Sequence, residues 1–166
     1  MNQHSLLYAI PDGVFSVNYT VFENDREIAS IDRKLMSLHL KGSITVNGVT
    51  HQISHDSVFS KRFRMESPGG TTEATATITR WFHSSVEIEY SGRILVLKKK
   101  YFSLKTKFLL FINEIQAGEI RLIKLFSRRL LLETQMEIPL EIRAFILWLA
   151  ILFISAESSE SSSSNS

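Results

Sequence analysis

An unbroken apolar run, AFILWLAILFI, occupies positions 144–154 of a chain of 166 residues. Pro139 precedes it, and proline is favoured at the first position of a helix because that position has no N–H hydrogen bond to lose. Glu141 adds a negative charge that the N-terminal helix dipole favours. The sequence therefore predicts a helix over 139–155. Because no face of this helix is polar, it must be surrounded by lipid or by other parts of the protein.

Protein is the preferred surrounding. The apolar run has eleven residues, whereas a helix that spans a bilayer needs about 20. Starting the helix at Pro139 would also bring Glu141 and Arg143 into the hydrocarbon region, which is costly. A tail-anchored membrane protein is kept as an alternative. The preferred interpretation is a structural core helix, with its central packing positions at Phe145, Leu147, Trp148, Leu149 and Leu152.

The chain before this helix alternates between apolar and polar residues with the period of a half-buried β-strand. The clearest case covers 36–46, where Gly42, Ile44 and Val46 share one predicted face with three apolar residues before them. Asn47-Gly48 follows, a pair that favours a two-residue hairpin turn. Similar segments begin with 15–21, centred on Phe15 and Val17, and continue to 130–135. Eleven or twelve strands are predicted in all.

Three details of these strands lead to further expectations. Ala74 and Ala76 place small side chains on an inward face, as expected where something bulky approaches the wall. Gly118 predicts a β-bulge or a close approach of two backbones. Segments 94–97 and 108–112 are apolar on both faces, which predicts strands covered on both sides.

Geometry places the helix inside a barrel. Twelve strands about 4.8 Å apart and tilted by about 40° close into a ring about 24 Å across, whereas a helix is about 10–12 Å wide. The predicted fold class is mostly β: a closed antiparallel barrel of about 11–12 strands around a buried hydrophobic C-terminal helix. The predicted organisation is an N-terminal arm over 1–12, the barrel over 13–156 and a disordered Ser-rich tail over 157–166.

Composition excludes several kinds of chemistry. The chain has no cysteine, so disulfides, thiol catalysis and cysteine-ligated metals are excluded. His51 and His55 lack the helical spacing of a zinc site, and no third ligand is evident. No nucleophile elbow or phosphate-binding loop occurs. We therefore expect no enzyme activity, no metal and no cofactor.

The net charge of +2 does not indicate a nucleic-acid partner. The N-terminus lacks signal-peptide features, so a cytoplasmic location is expected.

The order of elements resembles the tubby C-terminal-like fold, which includes tubby domains, phospholipid scramblases, LURP-one-related proteins and small bacterial relatives. The segments that carry the resemblance are 42–48 (GSITVNG), 92–99 (GRILVLKK), the hairpin 108–119 and the run 139–154. The resemblance implies a non-enzymatic binding or scaffold module. It also implies an anionic membrane surface, a phosphoinositide or a protein as the partner, and therefore a cytoplasmic protein that binds membranes peripherally.

Basic residues supply the candidate site. They occur in two groups that would attract anionic lipid headgroups if they lay on one rim of the barrel: Lys98, Lys99, Lys100, Lys105, Lys107, Lys124, Arg128 and Arg129. The alternative is that these residues only solvate strand ends and discourage edge pairing.

The competing functional interpretation is a small-molecule-binding barrel or an enzyme, with its site at the barrel mouth. The sequence indicates no oligomeric state.

Overall fold

The computed structural model describes residues 5–34, 41–56, 61–80, 85–100, 106–123 and 127–163. Twelve antiparallel strands form a closed barrel in which neighbours follow chain order, and β12 pairs with β1 to complete the ring. The predicted fold class is confirmed. The elements are β1 Ser5–Pro11, β2 Tyr19–Glu23, β3 Arg26–Lys34, β4 Lys41–Val46, β5 Val49–His55, β6 Arg62–Glu66, β7 Thr72–Arg80, β8 Ser85–Tyr90, β9 Arg93–Lys100, β10 Lys107–Ile112, β11 Ile115–Leu122, β12 Leu130–Thr134 and α1 Leu140–Ser163.

The helix α1 fills the interior of the barrel. Every residue from Ala144 to Ile151 is at most 1% exposed. The helix contacts well-separated strands, since Trp148 packs edge-on against Phe63 of β6 and Phe153 packs against Phe108 of β10. The predicted core positions of the helix are all buried. Protein therefore surrounds the apolar run. Within the described ranges, no helix combines the length and the apolar character that crossing a membrane requires.

The alternation predicted for the strand 36–46 is confirmed over the part that the structure describes. Gly42, Ile44 and Val46 are buried and face the helix side, while Ser43 and Thr45 are only partly buried. Ala74 and Ala76 are likewise buried on the inner face of β7. The residues of the predicted strand 36–46 that precede Lys41 lie outside the described residues.

Two glycines allow the close packing of the wall. A Cβ atom on Gly42 would lie 2.5 Å from Nε1 of Trp148 and 2.7 Å from the carbonyl oxygen of Asp32. A Cβ atom on Gly118 would collide with the carbonyl oxygen of Glu133 on β12. The register between β10 and β11 also shifts beside Gly118. The expectation of a bulge or a close approach at Gly118 is thus confirmed in both forms.

The N-terminal segment is a correction to the prediction. Residues 5–11 are not an arm but β1, which pairs with β2 on one side and β12 on the other. Leu7 and Ala9 are fully buried, whereas Leu6 and Tyr8 face outward and are about two-fifths exposed. Because the outward residues are also apolar, the segment has no period-two contrast to reveal a strand. This strand closes the barrel.

Two further predictions about strands are wrong, as the exposure of their side chains shows. Phe15 is 95% exposed and Val17 lies before β2, which begins only at Tyr19. β9 and β10 are not covered on both sides, because Ile94 is 54% exposed and Leu109 and Phe111 are only partly buried on the outer face. These apolar residues lie on the outer surface of the barrel, as isolated surface hydrophobics commonly do.

The helix is longer than predicted. α1 continues to Ser163 rather than ending near Ser155, so disorder is the wrong prediction for 157–163; residues 164–166 lie outside the described residues. Extending an existing helix adds a hydrogen bond per residue without repeating the cost of nucleation. No proline or glycine interrupts the segment; glutamate is a good helix former, and serine is only mildly unfavourable.

Candidate functional site

The two ends of the barrel differ in their connections. At one end, called the hairpin end, β2, β4, β6, β8 and β10 finish and tight turns lead to the next strand. Asn24-Asp25 and Asn47-Gly48 have positive φ at both central residues, which suits the twist of a two-residue hairpin. At the opposite end, called the basic end, β1, β3, β5, β7, β9 and β11 finish. The helix enters at the hairpin end and reaches the basic end near Ser155, which Arg33 of β3 contacts.

The two ends also differ in charge. Acidic residues dominate the hairpin end, where the described bases are Arg26, Arg93 and Arg143. The acids there are Glu23, Asp25, Glu27, Glu66, Glu73, Glu89, Glu114, Glu133, Glu137 and Glu141. At the basic end the described acids are Asp12, Asp32, Asp56 and Glu119, the last of which is level with Lys98 across β10. The bases there are Arg33, Lys34, Lys41, Lys61, Arg62, Arg80, Lys98, Lys99, Lys100, Lys107, Arg121, Arg128 and Arg129.

The predicted basic residues that the structure describes all lie at the basic end. Lys98, Lys99 and Lys100 end β9, and Lys100 is the register partner of Lys107 at the start of β10. Arg128 and Arg129 come directly before β12, two strands further around the ring. Lys105 and Lys124 lie outside the described residues. Strand order brings the two sequence groups to one rim.

These side chains differ in how free they are to meet a partner. Lys98, Lys100 and Arg129 are exposed, although the Lys98 ammonium also lies 5.2 Å from the ring centroid of Phe111. Lys99 is partly buried, and this burial lowers its pKa. Lys107 forms an ion pair with Glu119 on the neighbouring strand β11. Lys98, Lys100 and Arg129 are therefore the predicted residues best placed for contact with an external surface.

Three other bases at the basic end are not among the candidate residues predicted from the sequence. Lys41, Lys61 and Arg62 are exposed and begin or precede even-numbered strands. A usable signal exists in the sequence, because short turns rich in Asn, Asp, Ser and Gly alternate with connections that are mostly flanked by lysine and arginine. In an antiparallel up-and-down barrel, alternate connections lie at the same end. That alternation alone places the basic residues together.

One basic residue of this end is buried inside the barrel mouth. Arg33 is 7% exposed, and its register partner is the inward-facing Gly42. Its Nη1 atom donates to Oγ of Ser155 at 2.6 Å and lies 3.5 Å from the carbonyl oxygen of Ile151. Burial lowers the pKa of Arg33. Arg33 thus fixes the last buried turn of α1 to β3 through a cation that has little access to water.

A second polar cluster lies where α1 enters the hairpin end. The Glu23 carboxylate accepts a hydrogen bond from Oγ of Ser5 at 2.7 Å and from Nη1 of Arg143 at 3.3 Å. The hydrogen bond from Ser5 is the main reason why the pKa of Glu23 is lowered, with Arg143 contributing as well. This cluster connects the first turn of the helix to β1 and β2.

The lowered pKa of Glu23 predicts a pH-dependent contribution to stability. Because the folded protein binds this proton less tightly than the unfolded chain, the contribution is present above the unfolded pKa, near 4.5, and is lost as the pH falls through the lower folded value. We expect Glu23→Gln to lower the urea midpoint at neutral pH and to differ little from the unmutated protein well below pH 4.5. Glu114→Gln, in an exposed turn, is the control. An equal difference at both pH values would contradict the assignment.

The histidines form no metal site within the described residues. His51 faces inward opposite Ile44, and its Nδ1 atom lies 2.5 Å from Oε2 of Glu73. The ring of His55 packs against Phe63 instead. No cluster of three or more potential ligands occurs in the described part of the chain. His39 and His83 lie outside it.

The hairpin end carries an open depression of about 670 Å³ on its outer surface. It lies between the turn after β8, the turn after β10 and the segment that joins β12 to α1. Arg93, Ile94, Met136 and Glu137 line it, and all four are exposed side chains. It is therefore a surface concavity and not an opening into the barrel interior, which α1 occupies.

Comparison with known proteins found no matching protein-family model, no matching curated protein and no matching solved structure.

Proposed function

We propose that this chain is a non-enzymatic binding module of the tubby-like type, and that its basic end docks onto an anionic phospholipid surface. The observation that carries the proposal is the separation of charge along the barrel axis. Lys98, Lys100 and Arg129 are exposed at one end, and the opposite end is acidic. A flat anionic surface matches such a rim better than a small ligand does.

The filled interior supports a function on the outside. Ligand-binding barrels hold their ligands in the lumen or at its mouth. Here the lumen is occupied by Ala144–Ile151, each of which is at most 1% exposed. A partner must therefore be met at an end or on the outer wall, and the basic end is the part with a strong electrostatic preference.

The charge separation also implies an orientation. Each lysine or arginine near an anionic membrane contributes about 1 kcal/mol to binding. The acidic residues at the hairpin end are repelled by the same surface, so the barrel axis is expected to stand upright, with the basic end towards the lipid. Because the Debye length is about 10 Å at 0.1 M salt, binding should weaken as the salt concentration rises.

Vesicle co-sedimentation tests the proposal. We expect the protein to pellet with phosphatidylcholine vesicles that contain phosphatidylserine, but not with phosphatidylcholine alone. Lys100→Glu combined with Arg129→Glu should weaken binding by at least about 30-fold, since the two lost contributions total about 2 kcal/mol. Both side chains are exposed, so this double variant should fold normally.

A matched control separates the rim from net charge. Arg26→Glu combined with Arg93→Glu reverses two exposed bases at the hairpin end and changes the net charge by the same amount. We expect this control to bind anionic vesicles as the unmutated protein does. Equal pelleting with neutral and anionic vesicles, or an equal loss of binding in both double variants, would overturn the membrane proposal.

A further inference from the structure

Arg33 is a buried cation that has no acidic partner among the side chains that the structure describes. It is 7% exposed, and no carboxylate of the described residues forms an ion pair with it. Buried charges are normally paired, because removing an ion from water is costly. Of the nearby acids, Asp12 accepts a hydrogen bond from Thr20 on the outer face. Asp32 precedes Arg33 on β3 and therefore points to the opposite face.

The guanidinium retains donors that the protein does not use. A guanidinium has five N–H donors, and both side-chain hydrogen bonds of Arg33 are made by Nη1. Its Nε and Nη2 atoms make no hydrogen bond to the described residues. Arg33 is thus fixed to α1 through Nη1, and its other donors are available to a ligand at the basic end.

Two further groups lie beside Arg33. Tyr19 is 4% exposed and is the register partner of Ile31, two residues before Arg33, so its ring faces the same interior. Burial raises the pKa of the Tyr19 phenol, while the positive charges of Arg128 and Arg33 act to lower it. Arg128 is held in place by the carbonyl oxygens of Gly13 and Val14.

We propose that this mouth binds a phosphate group, with Arg33 as the buried anchor and Arg128 and the Tyr19 hydroxyl beside it. Guanidinium groups match phosphate oxygens through paired, charge-assisted hydrogen bonds. A phosphate dianion can accept from all three side chains and would neutralise a buried cation that has no carboxylate partner among the described side chains. The phosphate could be free in solution or the terminal phosphate of a lipid headgroup. The lipid form rests on the membrane-docking proposal, whereas the free form does not.

Thermal unfolding measures phosphate binding without vesicles. A ligand that binds only the folded state raises the melting temperature. We expect inorganic phosphate to raise the melting temperature of the intact protein above its value in sodium chloride of equal ionic strength. Arg128→Gln should weaken the apparent affinity for phosphate by about tenfold, the effect of losing one charge-assisted hydrogen bond. Tyr19→Phe should weaken it by less.

Variants distinguish a binding role from a purely structural one. Arg33→Met should lose the response to phosphate in addition to some stability, because Arg33 also holds Ser155. If Arg33→Met does not fold, Arg128→Gln and Tyr19→Phe still test the site. Arg93→Gln, at the hairpin end, should respond to phosphate fully. Stabilisation by phosphate no greater than that by chloride, or a full response in both Arg33→Met and Arg128→Gln, would overturn the phosphate site.

A vesicle arm identifies the source of the phosphate. Phosphatidic acid presents a terminal phosphate, whereas phosphatidylserine does not. Tighter binding to phosphatidic acid than to phosphatidylserine at equal surface charge, lost in Arg128→Gln, would support the lipid headgroup. Equal binding, together with a response to inorganic phosphate, would support a site for free phosphate and overturn the lipid form. No binding to any anionic vesicle would defeat membrane docking but leave the thermal result to decide the phosphate site.

Discussion

Leu149→Asp is expected to abolish cooperative folding of the barrel. Leu149 is fully buried in the middle of α1, between the equally buried Trp148 and Ala150. Placing an unpaired carboxylate there costs several kcal/mol, to which the lost apolar contacts of leucine are added. Domains of this kind are stable by only about 5–15 kcal/mol. The sum consumes most or all of that stability.

Urea unfolding followed by tryptophan fluorescence measures the effect. Leu149→Met, which conserves volume, should cost less than about 1.5 kcal/mol. Ile115→Asp is the matched surface control, because Ile115 is 63% exposed and the same type of change there should be close to neutral. Removing the chain from Ala144 onwards should also prevent cooperative folding. A cooperative transition at the original midpoint in Leu149→Asp would show that the barrel does not depend on its helix.

Gly42→Ala is expected to lower the free energy of unfolding by about 3 kcal/mol, the upper part of the usual range for overpacking. The added methyl group would lie 2.5 Å from Nε1 of Trp148 and 2.7 Å from the carbonyl oxygen of Asp32. Trp148 is enclosed by the wall and Asp32 is held in the ladder between β3 and β4, so neither can move without disturbing its neighbours. Gly13→Ala is the control, since its nearest contact would be 3.9 Å away.

A double-mutant cycle identifies the clash. Trp148→Phe removes the Nε1 atom, which has no hydrogen-bond partner among the described residues, together with the ring edge nearest Gly42. Gly42→Ala should therefore cost less in the Trp148→Phe background than in the original chain, by about 1 kcal/mol or more, as coupled neighbours do. Some cost should persist, because the carbonyl oxygen of Asp32 is still in the way. Strictly additive effects would contradict the close approach of helix and wall.

The barrel was predictable because the alternation that identifies each strand and the residues that form its turns are both local in the sequence. Inward residues such as Ile44 and Val46 alternate with polar neighbours, and Asn47-Gly48 has the conformation that a tight hairpin needs. The location of the helix was predictable because a helix that is apolar on every side must be enclosed by lipid or by other parts of the protein. Its end was not, since the serines after Ser155 oppose a helix only weakly and the preceding turns were already formed.

Other features depend on pairings between distant residues. β1 has apolar residues on both faces, and only its pairing with β12, more than a hundred positions away, makes it a strand. The basic residues can be identified in the sequence. Their position at one end of the barrel follows from the strand order, because successive strands run in opposite directions and every second connection lies at the same end. The burial of Arg33 had no local signal at all, because its partners Ile151 and Ser155 come at the far end of the sequence.

The position of α1 in the chain has a consequence for biosynthesis. The element that fills the centre follows all twelve strands, so during translation the wall leaves the ribosome before anything exists to line it. Contacts such as Arg143 with Ser5 join residues 138 positions apart, and such non-local contacts make folding slow. Until α1 has been synthesised, the apolar inner faces of the sheet are exposed to contact with other chains. The nascent protein should therefore depend on chaperones or on low concentration to avoid aggregation.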